Sequence, residues 1–68
     1  MEEITIQVND TVKVFYRSEY VTAKTKDLQE FGYPNLTEQE VDRQLQKILN
    51  GETDLSIIGR FMVDEIVI

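Results

Sequence analysis

The side chains able to do chemistry in this 68-residue chain are almost all carboxylates: it has 13 Asp and Glu, no His and no Cys. Enzymes use carboxylates in pairs, one donating and one accepting a proton. The neighbours Asp64 and Glu65 point apart on either a helix or a strand. Glu38 and Asp42 share a helix face at i and i+4, but they carry like charges and no apolar run encloses them to raise the pKa of either carboxyl group. We therefore predict no catalytic residue and no enzymatic activity.

Metal and cofactor sites are excluded on similar grounds. Without His and Cys, the usual ligands of zinc, iron–sulfur and haem sites are missing. Residues 50–54 have the composition of a calcium loop but lack its oxygen spacing and its terminal Glu. The three glycines are isolated and form no phosphate-binding loop. We expect neither a metal nor a cofactor.

The chain carries a net charge of −6, and the excess of acid lies in its second part. Residues 1–26 hold four acids and four bases, whereas residues 27–68 hold nine acids and three bases. The length predicts one small domain over residues 1–68, and the apolar content of 41% is typical of a folded chain. No signal peptide or membrane-spanning run is visible, so we expect a cytoplasmic protein.

The elements that would position these side chains begin with a β-hairpin over residues 4–16. Apolar and polar residues alternate on both sides of the turn-forming pair Asn9-Asp10, as in half-buried strands. Val12, Val14 and Tyr16 alternate with Thr11, Lys13 and Phe15, and we expect Val12 and Val14 to define the core face of the hairpin.

The most clearly encoded helix spans residues 38–49. Thr37 and Glu40 match a capping box, in which each side chain bonds to a free backbone N–H of the first turn. Apolar residues recur at helical spacing from Val41 to Leu49. This helix is predicted to anchor the core.

The segment before it is less regular. Residues 18–24 have strand propensity without a fixed register, and are predicted to extend the second strand or to form a loop. Residues 26–31 are predicted to form a short helix with Thr25 as its N-cap.

The C-terminal part predicts a further helix over residues 55–63, capped by Thr53 or Asp54, with a strand as the alternative. Residues 66–68 are predicted to form a last strand against the hairpin or an ordered tail. The elements together predict an α+β fold: an N-terminal antiparallel β-hairpin with two or three short helices packed on one face. The predicted core is Leu28, Phe31, Val41, Leu45, Ile48, Leu55, Ile58 and Met62, with Phe61 beside it.

Nucleic-acid binding is one functional alternative. The two predicted helices before residue 50 follow each other as in a helix-turn-helix, but six residues separate them instead of three or four. The second helix also opens with acids, which DNA phosphates would repel. A small DNA-associated regulator therefore stays an alternative, as does an inhibitor whose acids imitate nucleic acid. The bases that favour DNA are Lys13, Arg17, Lys24 and Lys26.

The leading hypothesis is a small acidic protein-interaction module, such as an adaptor, an inhibitor or a regulator. The solvent-facing side of the helix over residues 38–49 forms an acidic rim just after an aromatic residue, and a basic partner protein could bind there. The predicted protein-binding residues are Tyr33, Glu38, Gln39, Asp42 and Arg43.

Two further expectations concern association. The aromatic residues Phe15, Tyr20 and Tyr33 could together form an exposed apolar patch. A homodimer is also predicted, through an edge of the hairpin or through residues 66–68, because so short a chain has little core of its own.

Overall fold

The structure is a computed structural model and describes residues 2–67. The described chain forms a three-stranded antiparallel sheet in which the first strand is central, with helices packed on one of its faces. This confirms the predicted α+β class and the N-terminal hairpin. Ile68, the last residue of the predicted C-terminal strand, lies outside the described residues. The elements are β1 (Glu3–Val8), β2 (Thr11–Tyr16), α1 (Arg17–Phe31), α2 (Glu38–Leu49), α3 (Ile57–Val63) and β3 (Ile66–Val67).

The hairpin turns where the sequence predicts it, but its core face is the other one. Asn9 and Asp10 have positive φ angles of 48° and 64°, which give the tight turn that matches the twist of two strands. Val12 and Val14, the expected core residues, are each 59% exposed. The reason is the pairing register. Ile4 and Ile6 face the helices, and their partners in β2 are Phe15 and Lys13. The two valines therefore lie on the opposite face of the sheet.

The helix α1 is longer than predicted, because it begins at Arg17 and includes the segment expected to be a strand or a loop. Tyr20, Val21 and Leu28 form its buried stripe, so packing against the core overrides their strand propensity. Thr25 is not an N-cap. It lies inside the helix, and its hydroxyl donates to the carbonyl of Val21 at 2.7 Å.

The helix α2 has the predicted bounds and begins at a cap. The hydroxyl of Thr37 accepts a hydrogen bond from the backbone N–H of Glu40 at 3.3 Å. Val41 and Leu45 are fully buried. The helix ends before Gly51, whose φ of 78° is a conformation that glycine adopts without strain.

The helix α3 is present but shorter than predicted, and its cap is different. Ser56, not Thr53 or Asp54, accepts a hydrogen bond from the backbone N–H of Gly59 at 3.3 Å. Gly59 allows close packing of α3, since a Cβ there would lie 3.0 Å from both the Oε1 atom of Gln44 and the Cβ atom of Leu55.

Six of the eight predicted core residues are buried, and Ile58 packs partly buried against them. Phe31 is 69% exposed and Phe61 is 40% exposed. The prediction that these two phenylalanines belong to the core is therefore wrong. Within residues 2–67, no helix combines the length and the apolar character needed to cross a membrane. The buried apolar residues are Ile4, Ile6, Tyr20, Val21, Leu28, Leu36, Val41, Leu45, Ile48, Leu55, Met62 and Ile66.

Candidate functional site

Arg17 ties the start of α1 to the residue before β1 and to α2. Its Nε atom donates to the Oδ1 atom of Asp42 at 2.7 Å, and its Nη1 atom donates to Glu2 at 3.0 Å and to Gln46 at 2.8 Å. The hydrogen bond with Asp42 is the main reason that the pKa of Arg17 lies above its ordinary value, against the opposing effect of burial. Asp42 therefore has a structural partner within the chain.

The predicted acidic rim lies along α2, as expected, although part of it is already bonded. Glu38 accepts a hydrogen bond from the hydroxyl of Thr22 at 2.5 Å and lines a groove between α1 and α2 together with Asp42. Gln39 and Arg43 line a neighbouring depression that also includes Asp42. The structure thus brings four of the five predicted binding residues together.

Tyr33, the fifth predicted residue, lies in a different place. It is partly buried against the core and lines a groove with Leu36, Ile57 and Ile58, between the loop after α1 and the start of α3. Its ring makes an edge-to-face contact with Phe61, with ring centroids 6.0 Å apart. Tyr33 is therefore part of an aromatic cluster and not of the acidic rim.

That cluster, the aromatic patch, consists of Phe31, Tyr33, Ile57 and Phe61. The rings of Phe31 and Phe61 are 5.2 Å apart in an edge-to-face arrangement, and Ile57 is 63% exposed one helical turn before Phe61. Sequence analysis missed this patch because it assigned both phenylalanines to the core. The available signal was the spacing: Ile57 and Phe61 share a helix face that the predicted core residues Ile58 and Met62 do not occupy.

A second exposed apolar surface, the open sheet face, lies on the side of the sheet away from the helices. Val14 and Val67 both stand opposite Thr5 in the sheet register, which places them on one face with Val12 and Tyr16. These four apolar residues are 41–59% exposed. The expected patch of Phe15, Tyr20 and Tyr33 does not form, because Tyr20 is buried and the other two pack partly against the core.

A polar cluster joins α1 to the segment just before β3. The Nζ atom of Lys24 lies 2.7 Å from the Oε1 atom of Glu65, and the hydroxyl of Tyr20 donates to that same oxygen. Burial, followed by the hydrogen bond and the charge of Glu65, raises the pKa of Tyr20 well above its ordinary value. The cluster is poorly accessible, with Lys24 and Glu65 only 17% and 18% exposed, and it connects the residue before β3 to α1.

The described part of the chain contains no group of three side chains placed to hold a metal ion. Comparisons with protein-family models, with curated proteins and with solved structures found no match to this chain. The candidate functional surfaces are therefore defined by geometry and charge: the acidic rim of α2, the aromatic patch and the open sheet face.

Proposed function

We propose that this chain is a non-enzymatic protein-interaction module and that the aromatic patch is its main contact surface. The observation that carries the proposal is the position of Phe31, which is 69% exposed and held edge-on against Phe61. Single exposed apolar residues are common on protein surfaces, but a contiguous group contributed by different elements is typical of a binding site. Large rings anchor many interfaces because they bury much area while losing few rotamers.

The chemistry of the patch favours a partner with large apolar side chains flanked by basic residues. The groove beside the patch is apolar at Leu36 and Ile58 and has Glu40 on its wall. Glu30 directly precedes Phe31, and the net charge of −6 comes from the same half of the chain. In this proposal the acids, including the rim of α2, speed the encounter with a basic partner, and the rings hold it in place.

A cytoplasmic location is part of the proposal. Small domains that act outside the cell usually contain disulfides, and this chain has no Cys.

The alternative role in DNA binding has less support. Two of the four bases that favoured it are already paired with acids, Arg17 with Glu2 and Asp42, and Lys24 with Glu65. A DNA-binding protein needs free cations on one face to replace the counterions of the phosphates.

The test is capture of partner proteins by the immobilised chain, compared between matched variants. Phe31→Ser combined with Ile57→Ser removes two exposed apolar side chains from the patch. Val8→Ser is the control, because Val8 is 47% exposed on the hairpin, away from the patch. Thermal unfolding first verifies that both variants are folded.

We expect partners that bind the wild type and the control and are lost from the double variant, and we expect their binding to weaken as salt is raised. An identical set of captured proteins for all three chains would contradict the proposed role of the patch.

A further inference from the structure

We propose that two copies of this chain associate by antiparallel pairing of β2 with β2 of the second copy, which extends the sheet from three strands to six. The pairing is independent of the proposed function, because it uses the edge of the sheet and leaves the aromatic patch on α1 and α3 free. In the described residues β2 is an edge strand with β1 as its neighbour, and five of its six residues are exposed.

The hydrogen-bond alternation of the hairpin fixes which backbone groups of β2 point outward. The N–H of Arg17 donates to the carbonyl of Glu2 at 2.8 Å, and antiparallel strands bond through every second residue. Lys13 and Phe15 therefore direct their backbone groups toward β1. The backbone groups of Val12, Val14 and Tyr16 face away from β1, toward any strand that joins the edge.

Symmetry, charge and the length of the overlap together select one register for the pair, because axes at Thr11, Val12 or Tyr16 would pair at most three of the six residues of β2. Two identical antiparallel strands are related by a two-fold axis, and facing residues must lie on the same face of the sheet. An axis at Lys13 would place two lysines opposite each other. An axis at Phe15 would place Lys13 opposite Arg17 of the second copy. Each of these pairs brings like charges together.

An axis at Val14 avoids both repulsions. Val14 then pairs with Val14 of the second copy, Val12 pairs with Tyr16, and Lys13 pairs with Phe15. The Val14–Val14 and Val12–Tyr16 pairs join aliphatic and aromatic side chains, which stabilises sheets. They also cover the most exposed part of the open sheet face. The Lys13–Phe15 pair places the ammonium group of one copy beside the aromatic ring of the other.

The charge distribution makes a second copy a suitable occupant of this edge. Two chains that each carry −6 repel one another over most of their surface. The strand β2 contains no acid, and its single charge is Lys13, so this edge brings the two acidic chains together without opposing carboxylates. Added salt screens the remaining repulsion, and we therefore expect association to strengthen as ionic strength rises.

Sedimentation equilibrium over a range of protein concentrations tests the association. We expect a reversible dimer for the wild type. Val14→Lys, which places two cations on the axis, should raise the dissociation constant by at least about tenfold. Gln7→Lys is the matched control, because it adds a cation to the same sheet face on the central strand β1, and it should dimerise like the wild type. A monomeric wild type, or a Val14→Lys variant that dimerises unchanged, would overturn the proposal.

Single cysteines test the register, since the natural chain contains none. Facing residues of a hydrogen-bonded pair have Cα atoms about 5.5 Å apart, within disulfide reach. Val14→Cys should therefore form a disulfide-linked dimer under mild oxidation. Val12→Cys should not, because its copies would lie four residues apart along the strands, about 14 Å. Equal cross-linking of the two variants, or none in either, would overturn the register.

Discussion

At the scale of single residues, the charged groups of this chain are divided between those that hold the fold and those that face solvent. Arg17 and Lys24 are each 17% exposed and bonded to carboxylates of distant segments. Their partners Asp42 and Glu65 belong to the fold although they lie near the surface. Replacing an acid that is bonded to a cation should therefore lower the free energy of unfolding more than replacing an acid that faces only solvent.

Asp42→Lys is expected to lower the free energy of unfolding by about 1–2 kcal/mol, because it replaces the main partner of Arg17 with a like charge. Glu40→Lys, a control with the same charge change two residues earlier on α2, should cost less than about 1 kcal/mol. Urea unfolding measures both. Equal losses would mean that the bond between Arg17 and Asp42 adds nothing to stability.

The raised pKa of Tyr20 makes stability depend on alkaline pH. The unfolded chain releases this proton near pH 10, whereas the buried hydroxyl retains it to higher pH. The contribution of Tyr20 is therefore complete below about pH 10 and is lost as the pH rises further. Tyr20→Phe should flatten the decline in unfolding free energy above pH 10 by at most about 1.4 kcal/mol per pH unit.

The control for this experiment is Tyr16→Phe, because Tyr16 is 41% exposed on the open sheet face. It should retain the slope of the wild type. If both variants decline with the same slope, the burial of Tyr20 is not the cause of the pH dependence.

At the scale of the elements, α2 is the central helix of the core and is also the one that its own sequence specifies most fully. Thr37→Ala removes the capping oxygen and should cost about 0.5–2 kcal/mol. Leu45→Ala leaves a cavity at a fully buried position and should cost about 2–5 kcal/mol. Urea melts of the two variants give the ranking, and the reverse order would mean that the cap matters more than the packing.

The same contrast explains what could be predicted from the sequence. The helix α2 was predicted correctly because its cap, its apolar stripe and its terminating glycine are all local signals. The helix α1 was missed in its first half because Tyr20, Val21 and Thr25 have strand propensity, and only contacts with distant segments make them helical. Local patterns cannot supply that information.

The hairpin shows a second limit of prediction from sequence: both strands were predicted, but the face of the sheet that packs against the helices was not. Ile4 and Ile6 alternate in β1 as Val12 and Val14 do in β2, so both strands have an apolar side. Cross-strand register places these two apolar sides on opposite faces, and the helices cover only one. In the candidate site, the exposed side of α2 could be predicted from the periodicity of that helix alone. The aromatic patch could not, because it depends on contacts between α1 and α3.

At the scale of the whole molecule, the sheet joins the two ends of the described chain. The N–H of Gln7 donates to the carbonyl of Glu65 at 2.7 Å, and Ile66 packs opposite Ile6. The central strand β1 is therefore completed on one side by the segment next in the chain and on the other side by the segment farthest from it.

Glu65→Ala tests how much this closure contributes. It removes the carboxylate that both Lys24 and Tyr20 use, and should lower the free energy of unfolding by about 1–3 kcal/mol. Glu65→Gln keeps an oxygen that can accept from both groups and should cost less. Urea unfolding compares the two variants, and equal effects would mean that the oxygen's bonds are not what stabilises the closure.

The position of β3 also has a consequence for synthesis on the ribosome. The hairpin and the helices rest largely on neighbours in the sequence and can begin to form while the chain is still emerging. The third strand and Glu65 are translated after the hairpin and the helices, so until they leave the exit tunnel β1 lacks a partner on one side and the hydroxyl of Tyr20 lacks its acceptor. The sheet is therefore completed only after residues 65–67 have left the exit tunnel, and the nascent chain presents an open strand edge to chaperones before that moment.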